Sequence, residues 1–180
     1  MFELEAMTKT KVLDVRVLAK KDRKPDEPTG AQLLLQATMT ADVLACFDGF
    51  LSSVLYKKAE APKQGAIDGL EPVTLTVIGS HVKRLAWQYE QTGCELEIDR
   101  GVGGKRSNIL LTDCKVHRVL LSPRDGGSVV VQWTVDVPSV ADAVWSKLPG
   151  LKTTEVELTV TGPDPAADPQ QRIPADAQAN

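Results

Sequence analysis

Aromatic residues are scarce in this chain: Phe, Trp and Tyr together make up 4% of its 180 positions. A broad platform for stacking bases is hard to assemble from so few rings. Long apolar runs are missing as well. No stretch approaches the roughly 20 apolar residues of a membrane-spanning helix. The opening Met1-Phe2-Glu3-Leu4-Glu5 is acidic, where an export signal is basic. The expectation is a cytoplasmic protein with no membrane partner.

Cysteine and histidine are equally sparse. Cys46, Cys94 and Cys114 are odd in number and far apart, which is no disulfide framework. They read as small buried apolar residues. The two histidines, His81 and His117, belong to no HxxxH pattern, and no CxxC is present. Cys114 and His117 have a C-x-x-H spacing, but positions three apart on a strand face opposite ways. Glu95, Glu97 and Asp99 share one strand face and read as solvated carboxylates, with a Mg²⁺ site as the sharper alternative. No metal, no cofactor and no catalytic residue is expected, so the chain is read as a non-enzyme.

Positive charge is not in excess either. Lys and Arg number 21 against 24 Asp and Glu, a net charge of −3. A general nucleic-acid binder needs a basic surface, so any phosphate contact here must be local. Two loops supply candidates. The first holds Lys20, Lys21, Arg23 and Lys24 before turning acidic at Asp26 and Glu27. Its plain reading is a solvated hairpin loop, and its functional one a basic finger. The second, Gly101 to Ser107, brings Lys105 and Arg106 together in a glycine-rich turn. It is not a nucleotide-binding P-loop: Asp99 stands at the first glycine, Arg106 separates Lys105 from Ser107, and a strand follows. A small anion nest is the remaining functional reading.

What the chain does have is alternation. Val129, Val131, Trp133, Val135 and Val137 alternate with polar or less buried positions, which predicts a half-buried strand. Pro138 stops it. Ser139 and Asp142 form an imperfect capping box for a short helix with Val140, Ala143, Val144 and Leu148 on one side. Pro149-Gly150 ends that helix, and Val156, Leu158 and Val160 mark a further strand. The segment from 11 to 79 has the same grammar: KVLDVRVL, AQLLLQATMT, a helix over ADVLACFDGFLSSVLYK, then PVTLTVIG. PVTLTVIG aligns with EVELTVTG without a gap, and LLLQATM with VVVQWTV through Gln36 and Gln132. The two stretches, 11–79 and 108–162, read as an internal duplication.

The expected fold is α+β: antiparallel sheets of about eight or nine strands with two packed helices. Residues 1–162 form one domain, and the Pro-, Ala- and Asp-rich segment 163–180 is a disordered tail. The expected core is Val15, Val17, Leu33, Leu35, Phe47, Leu51, Leu75, Val77, Trp87, Val131, Trp133, Val135, Val144, Leu158 and Val160. Phe50 and Tyr56 are the expected interface residues.

The run LAWQYEQTGCELEIDRGVGGKRSNILLTDCKVHRVLLSPRDGG, taken with the opening FELEAMTKTKVLDVRVLAKKD, resembles small uncharacterised proteins of tailed phages and prophages. The resemblance covers residues 2 to 162. It implies the neighbourhood of replication and recombination genes and transfers no catalytic residue. The duplicated helix-on-sheet plan is similar to sliding-clamp domains in architecture only. The function expected from these readings is a non-enzymatic accessory protein of DNA replication or recombination, binding DNA or a DNA-processing enzyme. The alternative is a protein-interaction module, such as an inhibitor or assembly factor, self-associating through exposed strand edges.

Overall fold

The computed structural model describes residues 2–18, 28–58, 75–78, 83–101 and 107–163. Its centre is a closed barrel of six antiparallel strands in the order β1-β2-β7-β6-β5-β8. These are β1 (Leu4–Val17), β2 (Ala31–Thr40), β5 (Leu85–Asp99), β6 (Ile109–Arg124), β7 (Ser128–Val137) and β8 (Glu155–Thr161). A separate two-stranded sheet pairs β3 (Tyr56–Lys58) with β4 (Leu75–Val77).

The cleanest alternation in the sequence becomes the cleanest ladder. β2 and β7 pair over ten residues with no register shift, Leu33 opposite Val135, Leu35 opposite Trp133 and Gln36 opposite Gln132. Their inward residues Leu33, Leu35, Val131, Trp133 and Val135 are fully buried. Other strands slip phase. Along β5 the inward residues are odd-numbered up to Gln91 and even-numbered from Cys94, with Gly93 at φ +73° between them. Along β6 the phase changes twice, around Asp113 and Arg118, both in the left-handed region at φ 54° and 53°. Bulges add a residue to one strand and bend it, which lets a sheet curl into a barrel. β5 runs through its slip as one strand.

β1 begins at Leu4, and from that residue on the chain is part of the barrel wall. A bulge between Val12 and Asp14 shifts its phase. Val12 is fully buried, while Val17, expected in the core, sits opposite Ala31 at the strand end and is 55% exposed. β8 closes the barrel, pairing with β1 on one side and β5 on the other.

The helices are shorter than the sequence suggests. The 41–57 segment is a 3₁₀ turn over Ala41–Cys46 and a single helical turn, α1 (Leu51–Leu55). Asp48 and Gly49 break it: the Asp48 carboxylate accepts the Phe50 N–H at 2.7 Å, a local bond that competes with helix. Val54, expected on the apolar stripe, is 63% exposed, while Leu44, Leu51 and Leu55 are buried. The second helix is only α2 (Asp142–Trp145), capped at Ala141 with no side-chain bond, so Ser139 is not its cap. Val140, Leu148 and Leu151 are buried, packing the β7–β8 connection onto the barrel. The architecture is therefore mostly antiparallel sheet with few helices. The two closing segments aligned in the sequence also part company. EVELTVTG is β8 of the barrel, whereas the described part of PVTLTVIG is β4, outside it.

Candidate functional site

The barrel wall brings rows of outward residues from β1, β2, β7 and β6 side by side. One row runs Arg16, Gln32, Asp136, Lys115, and the next Asp14, Leu34, Thr134, His117. A groove of about 220 Å³ crosses these rows. Leu34 and Leu120 give it apolar surface, and Asp14, Arg16, Gln32, Gln132, Thr134 and Arg118 give it polar groups.

Most of the polar groups here are already held in place. The Arg16 Nε–H donates to Asp14 at 2.5 Å, and Lys152 Nζ reaches the other carboxylate oxygen at 2.8 Å. Hydrogen bonds from Lys152 and then Arg16 pull the Asp14 carboxyl down to about 2. The Gln32 amide donates to Asp136 at 2.8 Å, and His117 Nε2 lies 3.1 Å from the second Asp136 oxygen. Lys115 pairs with Glu90 at 2.8 Å. Arg118 is different. It is exposed, has no ion-pair partner among the described residues, and stands on a left-handed backbone. That conformation costs a non-glycine residue about 1–3 kcal/mol. The bulge that imposes it aims the guanidinium at the groove.

A second cavity of about 800 Å³, lined by β5 and β6, shares Arg118 and Leu120 with the first. The ladder pairs Trp87 with Val119 and next Glu90 with His117, leaving Gln88 and Tyr89 across from Arg118 alone. Ala86, Trp87, Gln88, Tyr89 and Glu90 line this cleft on one side, and Arg118, Val119 and Leu120 on the other. Trp87 is half-buried. Tyr89 is anchored: its hydroxyl donates to Gln91, accepts the Phe2 N–H at 2.7 Å, and its ring meets Phe47 edge-on at 5.7 Å. Arg118 and Leu120 line both cavities and form the wall between them. Chemically the pair offers a planar cation unpaired among the described residues, amide and hydroxyl groups and the half-buried Trp87 indole.

The residues expected from sequence fall elsewhere. Lys20, Lys21, Arg23, Lys24, Lys105 and Arg106, with His81 and the tail from 164 on, lie outside the described residues. Phe50 is 78% exposed. Tyr56 is buried: its hydroxyl donates to the Ser128 carbonyl at 2.5 Å and accepts the Arg124 N–H, so it serves a contact within the chain. Glu97 accepts the Asn108 amide at 2.8 Å and Asp99 accepts the Gly101 N–H at 2.8 Å. Those carboxylates organise the β5–β6 end. Among the described residues no group of three or more His, Cys, Asp or Glu side chains is placed to hold a metal. Cys94 and Cys114 face each other in the β5–β6 ladder, fully buried, and burial pushes their thiols up to about 11 and about 12.

Sequence reasoning missed Arg16 and Arg118. Each is a lone cation in its stretch of strand, and only the pairing order β1-β2-β7-β6 brings both to one groove. The comparisons with family models, with curated proteins and with solved structures returned no match.

Proposed function

We propose that the chain is a non-enzymatic accessory protein that binds DNA or a DNA-processing enzyme, in keeping with the phage-protein resemblance of its sequence. The observation that supports it is the meeting of groove and cleft at Arg118, a guanidinium unpaired among the described residues on a wall otherwise occupied by internally paired charges. Guanidinium is well matched to phosphate. Lys20, Lys21, Arg23, Lys24, Lys105 and Arg106 remain the further phosphate contacts of this reading. The test is fluorescence anisotropy with single- and double-stranded DNA across a salt series. Saturable binding that weakens steeply with salt, and weakens again in Arg118→Glu, is the expected result. No binding of either form at low salt removes the DNA reading.

A specific observation favours the protein-interaction reading as well. Phe50, Val54 and Ile78, the last 40% exposed, gather where α1 adjoins the β3–β4 sheet, and Ile78 N–H bonds the Leu55 carbonyl at 2.7 Å. Exposed apolar side chains grouped in this way suit contact with a partner or a second copy. Phe50→Ser would then abolish a concentration-dependent shift in sedimentation. A wild-type chain that stays monomeric and captures no partner removes this reading.

We also read the strand order as the trace of a duplicated unit. Exchanging β1 with β6, β2 with β7 and β5 with β8 leaves the barrel order unchanged, with Gln36 opposite Gln132 near the centre. On this reading β5, and not PVTLTVIG, is the counterpart of β8.

A further inference from the structure

We propose that the two cavities sharing Arg118 form one subsite for single-stranded nucleic acid. A single unstacked base enters the cleft lined by β5 and β6 against Trp87, and its phosphate lies on Arg118, which also lines the outer groove. This rests on the DNA-binding reading and adds which strand form is bound, where, and by what contacts.

Three observations carry it. First, β5 bulges against β6 between Trp87 and Glu90, and residues of that bulge line a cleft of about 800 Å³. Its lining joins the half-buried Trp87 and the apolar Val119 and Leu120 to a polar rim of Gln88 and Glu90. Apolar and aromatic walls with a few polar groups are what a flat heterocycle requires. Stacking on an aromatic side chain tolerates any base, because every base has a π-face. Second, Arg118 is common to both cavities, so one guanidinium can hold the phosphate joining a base in the cleft to backbone in the groove. Third, the groove beyond it keeps donors in fixed positions. Arg16 is held by Asp14 and Gln32 by Asp136, and Arg16 retains N–H groups that Asp14 does not use.

The same wall disfavours a duplex. Asp14, Asp136 and Glu90 alternate with its cations, so no continuous basic track runs along it. Duplex affinity comes from many phosphates at once, and stacked bases hide the faces that Trp87 would meet.

The experiment compares three fluorescein-labelled probes on the full chain at low salt: an oligothymidylate, an abasic oligomer of the same length, and a duplex. The oligothymidylate is expected to bind about tenfold more tightly than the abasic strand, the difference one stacked base makes, and more tightly than the duplex. Trp87→Leu should reduce its affinity to the abasic level, and Trp87→Phe should restore part of the gap. Arg118→Gln should weaken both single strands alike and lower the salt slope by about one phosphate contact. Equal binding of the thymidylate and abasic strands, or duplex binding as tight, overturns the subsite and leaves DNA binding standing. No binding of any probe overturns both. If Trp87→Leu does not fold, the thymidylate-to-abasic ratio of the wild-type chain decides alone.

Discussion

Asp14 joins β1 to the β7–β8 connection through Lys152 and to its own strand through Arg16. Its carboxyl, near 3.8 in an unfolded chain, is held at about 2 in the folded one. The folded state therefore binds this proton more weakly than the unfolded state. The stability Asp14 contributes is complete above about pH 3.8 and is lost as pH falls through about 2. Urea midpoints at pH 5, 3 and 2 should show this decline, and Lys152→Gln should make it shallower. The thiols of Cys94 and Cys114 are shifted the other way. At pH 8 both are protonated and shielded, so a thiol reagent should modify half-buried Cys46 first and reach all three only in denaturant. Rapid reaction of all three in the native protein would contradict the barrel register that buries two of them.

Between elements, a few contacts hold the turns against the barrel. Gly30 begins β2 where the chain leaves β7 at Pro138. A Cβ there would stand 2.7 Å from the Val137 carbonyl oxygen and 2.9 Å from that of Pro138. Both are backbone atoms that cannot rotate away, so Gly30→Ala should cost about 1–3 kcal/mol in denaturant unfolding. The β3–β4 sheet is tied to the β6–β7 hairpin by four bonds: Tyr56 hydroxyl to the Ser128 carbonyl, Arg124 N–H to the Tyr56 hydroxyl, Gly126 N–H to the Leu75 carbonyl, and Val77 N–H to the Asp125 carboxylate. Tyr56→Phe removes the first two, an expected loss of about 1–3 kcal/mol at about 0.5–1.5 kcal/mol for each bond. The same substitution should leave binding at Arg118 unchanged, which separates the buried role of Tyr56 from an interface role.

At the level of the whole molecule, closure sets the behaviour. β8 closes the ring through β1 and β5, pairing Leu4 with Val160 across nearly the whole described chain. Such non-local pairing must be bought with loop entropy before it is rewarded, so refolding is expected on the millisecond-to-second scale. Stopped-flow refolding in microseconds would contradict a barrel closed this way. Removing residues 155–162 should abolish cooperative unfolding, because it exposes Leu158 and Val160 positions of the core and opens two strand edges at once.

Local chemistry settled the strands that keep one phase. In β2, β7 and β8 every second residue is apolar, and those residues are the barrel interior. The stop at Pro138 and the break at Asp48-Gly49 were equally present in the sequence, although the helical pattern around Asp48 outweighed the break. Only the tertiary structure decided the rest. Closing six strands requires bulges, and each bulge moves the inward face by one residue, which erases the alternation in β1, β5 and β6. The bulge also puts Arg118 on a left-handed backbone, and the strand order brings it to the same groove as Arg16, 102 positions away in the chain. No local pattern records that proximity, because it follows from the order in which the strands pair.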